Sequence, residues 1–424
     1  MKEAYLHYVW KTKQFDRTSL QTTEGESVEI IYPGDYNRDS GPDFFNAKLK
    51  IGGQLWSGNV EIHVKASDWN RHRHQEDAAY NSVILHVVHD ADAPAVTQHG
   101  VTLPTVELRP RIDRESYVRY LRLYSDKTPV PCSNQLSGIP QILVTNWLSR
   151  LMVERLERKV RLLQMELENS GWDWEETFYR HLARQFGMKV NAEPFQWLAA
   201  AAPLKIVGRQ GENRLQTEAL LFGQSGLLPE KQIDSYVKQL TREYVHLQHK
   251  YHIRPMAAQR WKFLRLRPVN FPTLRISQLA ELLCRHPRLF SICIEENLPQ
   301  QELRKLLDVP ASGYWTTHYR FGKLSIPRTK RLGAQAVEAV VINTIVPFKF
   351  LWGKEKGNLL VQEEALRLLE ELSAESNKIT REWNERGVIA VTAGESQALL
   401  ELTGNYCQKK KCLQCDIGMR LLER

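Results

Sequence analysis

The sequence predicts an α+β protein in which a small mixed α/β domain is followed by a larger all-α domain. Residues 1–110 alternate apolar and polar side chains as strands do, residues 111–140 are rich in proline, and the periodicity becomes helical from Ile142 onward. A chain of 424 residues has room for two or three domains. We therefore predict a sheet domain over 1–110, a connecting arm over 111–140 and an all-α domain over 141–424 that ends in a cysteine-containing helical tail.

The elements of the first domain begin with a short helix. Leu6, Val9 and Trp10 share one face of a helix predicted between Glu3 and Lys13. Strands are predicted over 27–32, 45–51, 55–64, 82–88 and 101–108. Gly52-Gly53 provides the tight turn of a hairpin between the second and third of these strands. This order predicts a small sheet with a helix against it.

The all-α domain is predicted to begin with one long helix. Apolar residues recur at helical spacing from Leu143 to Leu163. Further helices are predicted over 174–186, 230–249, 275–285, 333–345, 359–375 and 394–404. Long connections that contain proline separate some of these helices, and the sequence has no fixed-period repeat that would indicate a solenoid.

The composition excludes several classes of protein. With 42% hydrophobic residues the chain is not a disordered one, and it has no apolar run long enough to cross a bilayer and no signal pattern at its N-terminus. We therefore expect a cytoplasmic protein without a membrane partner. The motifs of ATPases, dinucleotide-binding enzymes, zinc proteases and lipases are absent from any suitable context. A net charge of +9 permits a polyanionic partner, and the oligomeric state stays open.

Ionisable residues on the predicted hairpin suggest a site for chemistry. Because side chains alternate along a strand, Glu61, His63 and Lys65 project from one face. The hairpin turn brings Asp43 within one position of lying opposite Glu61. Two neighbouring carboxylates suit Mg²⁺ or Mn²⁺, with His63 or Lys65 assisting the reaction. The alternative is that these residues form only the solvated face of a sheet.

This segment resembles the PD-(D/E)XK, or restriction-endonuclease-like, nuclease superfamily. Pro42-Asp43 matches the PD motif, and Glu61-Ile62-His63 stands where the superfamily has an acid, any residue and lysine. The resemblance implies a restriction-endonuclease-like fold of a helix, three strands, a helix and a further strand, with Asp43 and Glu61 as metal ligands. His63 replaces the lysine, and Lys65 on the same face is the candidate to take its role. Inactive members of the superfamily often lack that lysine.

A polar loop follows the Glu61–Lys65 strand directly. It contains Arg71, His72, Arg73 and His74, which could contact the phosphates of a nucleic acid, and the two histidines could also bind a metal. The alternative is a polar loop that is rich in histidine by chance.

Nearly the whole chain also resembles an uncharacterised bacterial family, domain of unknown function 2851. The C-terminal cysteines and several short sequence motifs carry the resemblance. The motifs are residues 41–44, 59–63, 67–69, 218–224 and 267–272. This family implies no activity that could be carried over to the chain.

Three cysteines near the C-terminus have a spacing found in metal sites. Cys407, Cys412 and Cys415 enclose three lysines, and thiolates near cations bind Zn²⁺ or an iron–sulfur cluster well. A fourth ligand would have to come from another cysteine or a histidine after folding, the options being Cys132, Cys284, Cys293 and His286. The alternative is a turn between two helices that contains reduced structural cysteines.

A basic segment of the all-α domain is a second candidate for binding nucleic acid. Arg260, Lys262, Arg265 and Arg267 alternate with aromatic residues there, a composition typical of surfaces that follow phosphates and stack bases. The alternative is a solvated basic face over an aromatic core.

Together these features predict a divalent-metal-dependent nuclease that hydrolyses phosphodiesters of DNA or RNA. The alternative is a non-catalytic protein that binds nucleic acid or acts as a scaffold and retains a nuclease-like fold. In a third reading, the helical part only mediates protein association.

Overall fold

Helices predominate in a computed structural model of the protein, which describes residues 1–37, 39–231, 233–296 and 298–423. The strands are β1 (Val28–Tyr32), β2 (Asp35–Tyr36), β3 (Phe44–Ile51), β4 (Gln54–Lys65), β5 (Val83–Asp90), β6 (Thr105–Glu107), β7 (His318–Arg320) and β8 (Lys323–Leu324). The helices are α1 (Glu3–Thr12), α2 (Asp68–Arg71), α3 (Arg114–Ser125), α4 (Gln141–Asn169), α5 (Trp174–Phe186), α6 (Ala192–Ala201), α7 (Leu204–Gly208), α8 (Arg214–Gln224), α9 (Ser235–Tyr251), α10 (Pro272–Arg285), α11 (Gln300–Leu307), α12 (Ala334–Val340), α13 (Val346–Glu355), α14 (Leu359–Glu371), α15 (Lys378–Asn384), α16 (Ala393–Glu401) and α17 (Asp416–Leu422). The predicted α+β class is confirmed.

The chain divides into two compact units, whose boundaries differ from the predicted ones. The N-terminal unit comprises Met1–Trp147 and Leu402–Arg424, and the helical unit comprises Leu148–Glu401. The predicted connecting arm therefore lies inside the N-terminal unit, as does the cysteine tail that we had assigned to the all-α domain. The tail belongs there because α17 packs against α3, and the backbone carbonyl of Leu422 accepts a hydrogen bond from the hydroxyl of Ser116 at 3.3 Å.

The predicted arm is not irregular, since it contains helix α3. The carboxylate of Asp113 caps this helix by accepting from the backbone N–H groups of Glu115 at 3.0 Å and Ser116 at 2.9 Å. Tyr120 and Leu123 are buried on its inner face. The flanking prolines made the whole segment look like a loop, although they lie outside the helix.

The sheet of the N-terminal unit has the order β1-β3-β4-β5-β6, with β2 pairing beside β3. The hairpin of β3 and β4 is antiparallel, whereas β5 and β6 run parallel to their neighbours. Helix α1 packs against β4 and buries Leu6, Val9 and Trp10, as the sequence predicted. Strand β4 is therefore covered, and its central residues 60–63 are buried.

A bulge in β3 changes the register of the hairpin at its far end. Near the turn Ile51 pairs with Gln54, and this register persists to Ala47 opposite Gly58. Asn46 then has a φ of 57°, and beyond it Phe44 pairs with Val60. The bulge shifts the pairing by one residue, so that continuing past Phe44 places Asp43 opposite Glu61.

The helical unit is built around a large apolar core. Phe178, Phe195, Phe222 and Phe348 are among its fully buried side chains. Helices α5, α9, α10, α14 and α16 occupy the predicted segments, with ends that differ by a few residues. One reason is capping: α9 begins at Ser235, because the side chain of Asp234 accepts from the backbone N–H of Val237.

Other parts of the helical unit differ from the prediction. Helices α6, α7, α8, α11 and α15 were not predicted, since short helices give too few turns for a clear period. The unit is also not strictly all-α, because β7 and β8 form a small antiparallel hairpin.

The sequence was expected to contain no apolar run long enough to cross a membrane, but one helical stretch of the helical unit is long and apolar enough by composition alone. It spans Ala334–Glu355, and 72% of its most apolar part is buried inside the protein. Protein covers it, as in the core helix of a soluble protein. The cytoplasmic location stays a prediction.

Candidate metal centre

Two hydrogen bonds connect the chain at Asp43 with the chain at Glu61–Ile62, at the end of the β3–β4 hairpin away from its turn. The backbone N–H of Asp43 donates to Oε2 of Glu61 at 3.1 Å, and the backbone N–H of Ile62 donates to Oδ2 of Asp43 at 2.9 Å. These two bonds hold both carboxylates at fixed positions. The structure therefore brings together the two acids that the sequence predicted to be neighbours.

The carboxyl group of Glu61 is strongly perturbed by its surroundings. Burial and the negative charge of Asp43 raise its pKa to about 9, although the N–H of Asp43 and the nearby His7 act in the opposite direction. Glu61 is only 5% exposed, so water does little to stabilise its charge. A cation beside Glu61 would reverse this effect, because it favours the ionised carboxylate.

Three imidazoles converge beside Glu61. One nitrogen from each of His63, His72 and His74 lies within 4.8 Å of the others. Nε2 of His63 is 3.2 Å from Nδ1 of His72, and Nε2 of His74 is 3.3 Å from Oε1 of Glu61. Oε1 of Glu61 is also 3.6 Å from Nε2 of His63. The three nitrogens thus converge, and Oε1 of Glu61 lies close to two of them.

The buried imidazoles of this cluster are held neutral. Burial and the charges of neighbouring histidines lower the pKa of His63 to about 2, and burial with the charge of His74 lowers that of His86 to about 3. Nδ1 of His63 and Nε2 of His86 are 2.9 Å apart, so His86 fixes the orientation of the His63 ring. A neutral imidazole with a free lone pair is the form that binds metals.

Local structure explains how two histidines of the loop reach β4. Helix α2 turns the chain directly after β4, and Trp69 of this helix is fully buried. Arg73 then adopts a φ of 60°, which reverses the chain and returns His74 toward the sheet. The ring of His74 stacks on Tyr80 with 3.7 Å between the ring centroids. Its side chain is therefore fixed by packing before any ligand binds.

Helix α1 adds a further histidine next to Asp43. Nε2 of His7 is 3.3 Å from Oδ2 of Asp43, and Nδ1 of His7 is 3.3 Å from the hydroxyl of Tyr36. Burial alone would lower the pKa of His7, but the contact and charge of Asp43 raise it above its ordinary value. His7 was not among the site residues that the sequence predicted.

A groove of about 110 Å³ opens beside His7. Helix α1 lines one wall with His7 and Lys11, which are one turn apart, and Tyr36 contributes to the lining. Leu413 and Gln414 of the cysteine tail also line the groove. The groove therefore reaches the site at His7.

The other predicted residues of this region lie outside the cluster. Lys65 is exposed, and its charge acts on Asp92 and lowers the pKa of that carboxyl, after the larger effect of the Ser67 hydrogen bonds. Arg71 and Arg73 are also exposed, and the guanidinium of Arg71 is 3.0 Å from Asp68. The role of Lys65 in place of the superfamily's lysine stays a prediction.

His86 escaped the sequence analysis as well. It is the one histidine between Val83 and Val88, in a run that we took as a buried strand. A polar side chain within such a run needs a partner, and this was the signal that could have identified it.

The basic segment of the helical unit is only partly a surface feature. Arg260, Lys262, Arg265 and Arg267 are exposed as predicted, and the guanidinium of Arg260 lies 4.3 Å from the ring centroid of Trp197. Two other cations of this part of the sequence are buried. Arg275 bonds the carbonyl of Leu332 at 3.0 Å, and Lys330 bonds the carbonyl of His318 at 3.0 Å. Both side chains make hydrogen bonds inside the helical unit, so they do not add to the positive charge of its surface.

All three cysteines of the tail are buried in the N-terminal unit. Cys407, Cys412 and Cys415 are free thiols, as is Cys132 of the same unit. No disulfide joins them, so the structure leaves their sulfur atoms available as ligands.

Comparison with known proteins identifies one family. The family described as "Protein of unknown function (DUF2851)" matches residues 3–378, which is nearly the whole chain. No curated protein and no solved structure matches the sequence.

Proposed function

The chain belongs to the family of proteins of unknown function DUF2851, and from its His/Glu cluster we propose that it is a metal-dependent hydrolase that cleaves phosphodiesters of nucleic acid. The observation that carries this proposal is the convergence of His63, His72 and His74. Oε1 of Glu61 contacts His63 and His74, and a second carboxylate, Asp43, lies beside Glu61. A purely structural sheet face would not bury Glu61, His63 and His74 together.

The ligand set supports a transition-metal ion more than Mg²⁺. Imidazole suits Zn²⁺ and other transition metals, whereas Mg²⁺ takes oxygen ligands. His63, His72 and His74 would hold the ion, and Glu61 would complete a set of three nitrogens and one oxygen. Mn²⁺ accepts both nitrogen and oxygen ligands, so we expect Mn²⁺ to support the reaction as well. Such an ion supplies Lewis acidity toward a phosphoryl oxygen.

Asp43 and His7 would handle protons in the proposed reaction. The ion pair with Asp43 favours the protonated form of His7, and His7 lines the groove. A protonated imidazole at this place can donate its proton to a leaving oxygen of the substrate. Asp43 then acts as a positioning residue through His7.

The order of elements supports a restriction-endonuclease-like relationship within this proposal. Helix α1, strands β1, β3 and β4, helix α2 and strand β5 follow the order that the sequence resemblance implied, apart from the short strand β2. The resemblance implies that Asp43 and Glu61 are metal ligands, and the hydrogen bond from the backbone N–H of Asp43 to Oε2 of Glu61 supports this role. The imidazole cluster replaces the superfamily's lysine at His63, so the chemistry would be a variant of that site.

Charge around the cluster favours a nucleic acid as the substrate. Lys11 lines the groove, and Arg71 and Arg73 are exposed next to the ligand histidine His72. Cations at the edge of a site attract a phosphate backbone without reading its sequence.

The test is a cleavage assay with metal-stripped protein to which Mn²⁺, Zn²⁺ or Mg²⁺ is added. We expect single-stranded, branched or duplex DNA or RNA to be cut with Mn²⁺ or Zn²⁺, and Glu61→Gln and His63→Ala to abolish cutting. His99→Ala is the matched control, because His99 is an exposed loop residue outside the cluster. Cleavage that persists in Glu61→Gln and His63→Ala would contradict the proposal. Salt-dependent binding of nucleic acid without metal uptake would instead support the non-catalytic alternative.

A further inference from the structure

Four cysteines from two distant parts of the chain meet in the N-terminal unit. Cys132 follows helix α3, and Cys407, Cys412 and Cys415 precede helix α17. The four are buried with 7–9% exposure. The sequence offered several possible fourth ligands, and the fold places Cys132 in the same unit as the other three, whereas Cys284 and Cys293 lie in the helical unit. Helix α3, which precedes Cys132, packs against α17 and against residues 412–414.

The four thiols are close enough to act on one another electrostatically. Burial raises the pKa of Cys132 to about 12, and negative charge on Cys415 and Cys412 raises it further. The pKa of Cys407 is raised by burial and then by charge on the other three. Four cysteines gathered in one place are a common ligand set for Zn²⁺ or an iron–sulfur cluster.

Backbone contacts around the cysteines fit metal-bound thiolates. Burial raises the pKa of Cys415 to about 12, and contacts of its sulfur with the backbone N–H groups of Gly418 and Ile417 act in the opposite direction. Gly418 also allows the chain to approach Cys412, because a Cβ at this position would lie 2.2 Å from the carbonyl oxygen of Cys412. The ammonium of Lys410 bonds the carbonyl of Asp126, which lies shortly before Cys132 in the chain.

The spacing of the sulfur atoms distinguishes between two kinds of metal centre. A single tetrahedral Zn²⁺ with bonds of about 2.3 Å would hold its sulfurs about 3.8 Å apart. In the part of the chain that the structure describes, no three of these sulfurs lie within 4.8 Å of one another, although the three imidazole nitrogens do. An iron–sulfur cluster holds its four cysteines around several irons and so keeps them farther apart.

We propose that Cys132, Cys407, Cys412 and Cys415 bind an iron–sulfur cluster. The cluster cross-links the end of the chain to the segment after α3 and fixes the loop between Cys412 and Cys415. Leu413 and Gln414 of this loop line the groove beside His7, so the cluster shapes one wall of that groove. The assignment does not depend on the hydrolase proposal.

The test is metal analysis of the full-length protein purified without oxygen. We expect iron and acid-labile sulfide in equal amounts, with the visible absorption of thiolate-bound iron. Cys132→Ser should lose most of this iron, as Cys412→Ser does. Cys284→Ser is the matched control and should keep it, since Cys284 is a buried cysteine of the helical unit.

A second measurement uses the wild-type protein and is independent of whether the variants fold. Removing iron from the wild-type protein should make the four cysteines reactive toward an alkylating reagent together, which mass spectrometry of the peptides can detect. Zinc bound without sulfide would overturn the assignment to an iron–sulfur cluster. Full iron content in Cys132→Ser, or neither metal in the anaerobic protein, would overturn the site itself.

Discussion

The backbone N–H of Asp43 donates to Oε2 of Glu61 at 3.1 Å, across the last pair of residues of a bulged hairpin. The bulge at Asn46 makes this pairing possible, because an unbulged ladder would place Phe44 opposite Glu61. The contact connects two groups of residues. Asp43 and its partner His7 form one group, and Glu61 with the imidazole cluster forms the other.

Loss of one imidazole should weaken metal binding. In His74→Ala the convergent set loses one of its three nitrogens, so we expect the affinity for Zn²⁺ or Mn²⁺ to fall at least about tenfold, a loss typical even for residues that only support a ligand. Calorimetric titration of metal-stripped protein measures this change. His99→Ala should bind as the wild type does, and an unchanged affinity in His74→Ala would remove His74 from the site.

Replacing Glu61 should stabilise the metal-free protein while removing its activity. Burial and the charge of Asp43 disfavour the ionised carboxylate, as the raised pKa of about 9 indicates. The amide of Glu61→Gln keeps an oxygen that can accept from the N–H of Asp43, but it carries no charge. We expect the free energy of unfolding at neutral pH to rise by about 1–3 kcal/mol. Urea unfolding in the presence of a chelator measures it, and a clear loss of stability would argue against this account of Glu61.

Arg73 should contribute one phosphate contact to nucleic-acid binding. It is exposed beside His72 and His74, so Arg73→Gln should weaken binding to all sequences alike and reduce the slope of log affinity against log salt by about 1. Fluorescence anisotropy over a range of salt concentrations measures the slope. Lys50→Gln changes the net charge equally but lies near the hairpin turn, and an equal effect of both variants would indicate only a general charge effect.

Lys159 should make the stability of the helical unit depend on pH. Burial and the charge of Arg155 lower its pKa from 10.5 to about 7, while its ammonium bonds Gln397 at 2.8 Å and Asn343 at 2.9 Å. Between pH 7 and 10.5 the unfolded chain therefore binds more protons at Lys159 than the folded one. The contribution of Lys159 to stability consequently rises with pH across this window.

The variant Lys159→Met removes this dependence. The gain in the free energy of unfolding of Lys159→Met over the wild type should be larger at pH 7 than at pH 10, by about 2 kcal/mol, so the variant is relatively more stable at pH 7. Chemical unfolding at both pH values measures the difference, and Lys238→Met, at an exposed position of α9, is the control. A difference that does not change with pH would show that Lys159 stays protonated throughout.

Local sequence signals were sufficient for the elements around the site. The apolar face of α1, the glycines between β3 and β4 and the alternation of β4 each depend on residues that are close in the chain. For the same reason, the sequence placed Asp43 within one residue of its observed position opposite Glu61. It missed α3 and the short helices, whose few turns give a weak period between prolines.

The sequence by itself determined the α+β class, the hairpin and the face on which Glu61 and His63 lie, because strand and helix periodicity are properties of neighbouring residues. Only the tertiary structure decided that His74 returns to β4, that His7 contacts Asp43 and that Cys132 joins the cysteines of the tail. These contacts connect residues far apart in the chain, and burial of apolar side chains such as Trp69 brings them together. No local pattern records which distant partner a side chain will meet, since that depends on how the whole core packs.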